Sequence, residues 1–303
     1  MPGTIIAAAQ ISPVFLDKKR TIAKACDVIA DAAKQKAKLV LFPEAFIPCY
    51  PDWVWTIPAG KGGEYKSLHA ELHAQSVTIG DDATMTLCKA AKKNKISVAI
   101  GINEKDPRRG SSLFNSLLYI HEDGRVLGVH RKLVPTAGER LVWAGGDGST
   151  LEGVDLPFAR VGGLICWENY MPLARYAMYA QGISIYLAPT WDHGDAWLST
   201  IKHIAREGRT FVIGCGMPVR KSDMPEHLQR LYPKDRVWIN PGGSAIVDPS
   251  GRLIAGPIDG KEEILFAEFN QDAVSGSRWD LDVVGHYSRP DVFHLSIDKA
   301  SNF

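Results

Sequence analysis

Apolar positions along the chain gather into short unbroken runs, separated by stretches in which they recur at helical spacing. Residues 4–10 and 38–42 read as buried strands, and Ile22, Cys26, Ile29 and Ala33 mark one stripe of a helix between them, which places Cys26 in the core. Residues 47–65 have no period and are dense in Pro, Gly and aromatics. That composition predicts a long loop of the kind that walls a pocket. His69 and His73 stand four apart on a helix with Glu71 between them. The H-E-x-x-H order is absent and no third ligand is evident, so they predict a surface helix face rather than a metal centre. Asp82 is positioned to cap a helix to about Asn94, with Leu87, Ala90 and Ala91 inward, and residues 96–102 form the next strand.

Two arms, residues 113–121 and 125–132, flank Glu122-Asp123-Gly124, a hairpin signal. Residues 161–165 are a short strand, and from Pro172 a helix follows, with Leu173, Tyr176, Ala177 and Ala180 in register and Gly182 as its stop. Residues 183–188 and 211–216 are further buried strands around a helix marked by Trp197, Ile201, Ile204 and Ala205. Residues 217–242 form a polar excursion, and Asp248-Pro249-Ser250-Gly251 turns a second hairpin. Residues 264–269 are a late strand, and a short helix and tail begin at about residue 271. With no linker, repeat or low-complexity tract, the pattern predicts one α/β domain over residues 1–303, its mixed sheets covered by helices.

Composition narrows the function. At 303 residues and 45% hydrophobic content the chain can bury a large core. Its net charge of +1, with no basic run, excludes nucleic acid and acidic membrane surfaces as partners. No stretch approaches 18 apolar residues, and the start lacks a charged-then-apolar leader, so a cytoplasmic protein is expected. Five cysteines without a C-x-x-C pair fit a reducing compartment. Gly145-Gly146-Asp147-Gly148 has neither the G-x-G-x-x-G order nor a Walker lysine, which removes nucleotide binding, and no G-x-S-x-G is present.

What remains is a set of reactive side chains at strand ends. Glu44 follows the apolar run 38–42, Lys132 ends the second hairpin arm, and Cys166 follows the strand at 161–165; Glu139 is a fourth candidate. Ends of neighbouring strands are where an open α/β sheet assembles a pocket. The residue types complement each other: a thiol needs a base, a carboxylate is one, and an ammonium stabilises developing negative charge. Cys166 also sits where a helix is about to begin, a position whose partial positive charge favours the thiolate.

Four stretches carry a resemblance: Phe42-Pro43-Glu44-Ala45-Phe46, His130 to Thr136, Glu139-Arg140-Leu141-Val142-Trp143, and Cys166-Trp167-Glu168-Asn169-Tyr170-Met171-Pro172. In this order they resemble the nitrilase superfamily, and within it the nitrilase branch, with similarity from about residue 4 to Leu295. The resemblance implies a four-layer αββα sandwich that assembles from dimers. It implies Cys166 as nucleophile, Glu44 as general base, Lys132 as charge stabiliser and Glu139 as an orienting glutamate, acting on a small nitrile without metal or organic cofactor. Tyr50, Thr136, Trp167 and Trp191 are the candidate substrate contacts. The same four reactive residues would serve a cyanide hydratase, a dihydratase or an amidase, whereas a binding protein has no need of the intact set.

Overall fold

The computed structural model describes residues 3–301. Its strands are β1 (Thr4–Gln10), β2 (Ala37–Leu41), β3 (Ser97–Lys105), β4 (Leu113–Ile120), β5 (Val126–Arg131), β6 (Trp143–Ala144), β7 (Val154–Leu156), β8 (Ala159–Gly163), β9 (Ile185–Pro189), β10 (Phe211–Cys215), β11 (Val219–Arg220), β12 (Trp238–Asn240), β13 (Gly242–Val247), β14 (Leu253–Asp259) and β15 (Glu263–Phe269). The helices are α1 (Lys18–Lys34), α2 (Gly62–Gln75), α3 (Asp82–Asn94), α4 (Pro172–Tyr179), α5 (Asp195–Gly208), α6 (Glu226–Gln229) and α7 (Gln271–Asp280).

The strands form two large sheets, ordered β15-β1-β2-β3-β4-β5 with β6 beside β4, and β14-β13-β10-β9-β8-β7. Each contains a parallel triplet wound through helices, β1-β2-β3 in the first and β8-β9-β10 in the second, continued by antiparallel neighbours. The period-2 alternation of side chains sorts the layers. On β1, Ile6 and Ala8 pack between the sheets, while Ala7 and Ala9 face α1 and α3. On β9, Ile185 and Leu187 pack between the sheets, while Tyr186 and Ala188 face α4 and α5. Strands buried on both faces must be apolar throughout, which is why they read as unbroken runs. The result is the αββα sandwich that the resemblance implies, and the mixed sheets covered by helices that the pattern predicts.

Several expectations shift. The fully buried stripe of α1 runs through Ile22, Ala25, Val28, Ile29 and Ala32, so Cys26 and Ala33 lie half-buried at its edge. Asp81, not Asp82, caps α3, accepting from Thr84 N at 2.9 Å. The stretch 47–65 is not wholly irregular: it contains a 3-10 turn, Asp52–Trp55, and the start of α2. His69 and His73 are half-buried on α2 rather than on an open face. The excursion at 217–242 holds α6 and the two-stranded β11–β12 sheet. The tail beyond α7 folds back, with Val283, Val284, Leu295 and Ile297 packing on the α4–α5 layer. No helix among the described residues is long and apolar enough to cross a membrane.

Candidate active site

Glu44 emerges from β2 on a turn held against β3. Phe42 N donates to Ala99 O at 2.8 Å and Ile47 N to Gly101 O at 3.1 Å. A Cβ on Gly101 would collide with the backbone of Pro43 and Ala45, so only glycine lets β3 approach this closely. Lys132 follows β5, its N–H bonded to Asn115 O on β4 at 2.8 Å. Glu139 lies in the 3-10 turn Ala137–Leu141, where it closes a capping box with Thr136. Cys166 follows β8 by way of Leu164 and Ile165 and opens the 3-10 turn Cys166–Tyr170 with φ of 52°, a left-handed conformation that few non-glycine residues adopt.

These elements bring the four residues together in a buried cluster. Lys132 Nζ donates to Glu44 Oε1 at 2.9 Å and to Glu139 Oε2 at 2.8 Å, and all three side chains are essentially inaccessible. Asn115 Nδ2 and Trp191 N each donate to Glu44 at 2.7 Å, fixing both carboxylate oxygens. Glu139 is fully committed as well, accepting from Tyr50 Oη at 2.7 Å, Thr136 N at 2.7 Å and Lys132. Burial works against the ammonium charge, yet Glu44, Cys166 and Glu139 hold the pKa of Lys132 well above the ordinary lysine value. Burial, reinforced by Glu139, raises Glu44 above the usual carboxylate range despite the opposing Lys132, which makes it a better proton acceptor.

Cys166 departs from the expected thiolate. Burial and the charge of Glu44 push its thiol up to about 12, outweighing Lys132. A five-residue 3-10 turn offers too little aligned dipole to reverse this. At rest Cys166 is therefore a neutral thiol, in contact with Thr190 Oγ1 at 3.4 Å, and any attack by it would need a base.

A further pair, His130 and Glu168, holds this arrangement in place; the sequence marks both only as members of the stretches that carry the resemblance. Glu168, fully buried, accepts from Ile165 N and Leu133 N, both at 2.8 Å, and from His130 Nε2 at 2.9 Å. Its carboxylate thus ties the residue before Cys166 to the residue after Lys132. His130 Nδ1 faces Thr150 O at 3.2 Å, so both ring nitrogens meet acceptors and both carry protons. Burial disfavours that charge, but Glu168 raises the His130 pKa, and His130 in turn lowers that of Glu168 against the same burial. Glu168→Gln would turn an amide N–H₂ toward one of these backbone donors. Misplacement on the scale of 1 Å costs about a hundredfold in rate. We expect kcat to fall on that scale with KM little changed; steady-state kinetics showing a normal kcat would remove Glu168 from this role.

The cluster opens into a cavity of about 400 Å³. Cys166 and Glu139 line it together with all four candidate substrate contacts, Tyr50, Thr136, Trp167 and Trp191. Tyr50 stacks on Trp191 with ring centroids 4.3 Å apart, and Trp167 Nε1 donates to Asp192 Oδ2 at 2.8 Å. The cavity also recruits Arg236, Ile239 and Asn240 from the 217–242 excursion, whose irregular composition concealed their position.

An αββα sandwich with this cluster at its strand ends has the architecture of the nitrilase superfamily of carbon-nitrogen hydrolases. Solved members share the fold: yeast Nit3 at TM-score 0.73 and 20% identity, covering 94% of this chain and 97% of that one, and a Helicobacter pylori carbon-nitrogen hydrolase at 0.74 and 19%, covering 96% of each. The chain belongs to the carbon-nitrogen hydrolase family, which it matches over residues 5–278. It is 42% identical to an aliphatic nitrilase of Sinorhizobium fredii, over 97% of this chain and 95% of that protein. It is 37% identical to a bifunctional nitrilase/nitrile hydratase of Nicotiana tabacum, over 98% and 86% respectively. These relatives place it in the nitrilase branch of the superfamily.

Proposed function

We propose that the protein is a nitrilase, converting an organic nitrile to the carboxylic acid and ammonia. The observation that carries this reading is the Glu44–Lys132–Glu139 cluster, closed to solvent beside a Cys166 thiol that lines the cavity. Glu44 takes the thiol proton as sulfur attacks the nitrile carbon. One C–N π pair moves to nitrogen and is protonated, leaving a thioimidate. Water adds with Glu44 again as base, and the tetrahedral intermediate expels ammonia to give a thioester. A second water releases the acid and restores the thiol. Lys132 stabilises the negative charge as it develops, joined by the Trp167 N–H, a first-turn donor of the kind a helix leaves unpaired. Glu139 holds Lys132 in place.

The tetrahedral intermediate can instead lose the cysteine, which would release an amide. A permanently charged Lys132 and a Glu44 able to return its proton favour departure of nitrogen as ammonia. Chromatography at early times should therefore show acid as the main product and amide as a minor one. Amide as the main product, or hydrolysis of amides and not of nitriles, would overturn the proposal. The same reading carries assembly from dimers. Leu173 on α4, 70% exposed, is an apolar side chain that a second copy would cover. Light scattering that finds a fully active single chain would refute it.

A further inference from the structure

The cavity beside Cys166 is lined by three side chains that carry formal charge, and they differ in what is left for a ligand. Glu139 has both oxygens committed to Tyr50, Lys132 and Thr136. Asp192 accepts from Trp167 Nε1 on one oxygen and from His193 N on the other. Arg236 donates through Nε to Trp238 O at 2.7 Å, and its two terminal nitrogens have no protein partner among the described residues. The guanidinium, exposed at the cavity rim, is thus the formally charged lining group whose terminal nitrogens are open to a ligand.

The segment that carries Arg236 is fixed to the pocket wall on both sides. Four residues earlier, Tyr232 Oη donates to the buried Asp52, which also accepts from Trp191 Nε1 at 3.0 Å. Four residues later, Asn240 Nδ2 donates to Trp191 O. Trp191 in turn bonds the catalytic base through its backbone N–H. The strap therefore holds the exposed turn that carries Arg236 beside the pocket wall. Among the described residues Asp52 makes no ion pair with Arg236; its two oxygens accept from Trp191 Nε1 and Tyr232 Oη. Aromatic faces from Tyr50, Trp55 and Trp191 supply the other walls.

We infer that the site selects nitriles bearing a carboxylate at the end remote from the cyano group, that is, cyanoalkanoic acids, with Arg236 as the residue that reads the carboxylate. A planar guanidinium with two free terminal nitrogens matches a carboxylate in paired hydrogen bonds, which a lysine ammonium does not reproduce. The aromatic walls suit the hydrocarbon segment between the two groups. The proposal rests on the nitrilase reading for its chemistry, and deepens it by naming the substrate class.

The test compares kcat/KM for cyanoalkanoic acids of increasing chain length with that for their methyl esters, in wild type, Arg236→Gln and Arg236→Lys. Wild type should prefer the acid of matching length by about tenfold or more, the scale of one charge-assisted contact. In Arg236→Gln that acid-to-ester ratio should collapse toward one, mainly through a higher KM, with Arg236→Lys in between. An unchanged ratio in Arg236→Gln, or a wild type indifferent to the carboxylate, overturns the inference. Calorimetric titration of the same acids into Cys166→Ala separates it from the nitrilase reading. Acids bound through Arg236 by an enzyme that hydrolyses no nitrile would sink the activity and leave the specificity standing. Ready hydrolysis of nitriles without regard to the carboxylate would do the reverse.

Discussion

Cys166→Ala is expected to leave a folded protein with less than about 1% of wild-type turnover, because Cys166 is the one thiol among the described residues that line the cavity. The substitution removes only sulfur. Alanine meets the same left-handed backbone that cysteine already tolerates at φ of 52°, so no new strain enters. Thr190 loses its contact with sulfur, but its hydroxyl still accepts from Asp192 N at 2.8 Å. Circular dichroism and thermal melting close to wild type, together with lost ammonia release, are the expected results. Residual turnover above that level in folded protein would remove Cys166 from the nucleophile role.

The second large effect is at Lys132. Lys132→Met leaves Glu44 and Glu139 facing one another without the cation that both now bond. Breaking a buried ion pair on one side typically costs about 3–5 kcal/mol of stability. One carboxylate would relieve the repulsion by holding a proton, and if it is Glu44 the base is lost as well. Together with the loss of a charge stabiliser, kcat should fall by at least about a hundredfold. A lower melting temperature should accompany it. Glu44→Gln offers the useful contrast: it removes the base but keeps a partner for Lys132, so activity should fall comparably with a smaller loss of stability. A Lys132→Met enzyme with near-normal kcat would contradict the assignment, whatever its melting temperature.

The elements were legible in the sequence because the forces that set them are local. Unbroken runs such as 38–42 and 183–188 can satisfy their hydrophobic positions only as strands covered on both faces. Glu122-Asp123-Gly124 and Asp248-Pro249-Ser250-Gly251 carry their turn geometry in their own side chains. A polar or reactive group placed at the end of such a run, as Glu44, Lys132 and Cys166 are, already marks the pocket edge.

Tertiary structure decided what depends on partners far away along the chain. Lys132 and Glu44 are 88 residues apart, and Trp191 N reaches Glu44 from 147 residues away. No periodicity encodes those pairings, nor the stacking of two wound triplets that have no visible repeat in sequence. The protonation of Cys166 depends on distant partners for the same reason. Its local signal, a helix start, favours thiolate, but burial beside Glu44 is a non-local effect that raises the thiol pKa. In sequence Glu168 is one member of a motif stretch and Arg236 one charge in a polar excursion. Their surroundings, backbone N–H groups for Glu168 and a cavity wall for Arg236, are supplied by other segments and so are visible only in the folded chain.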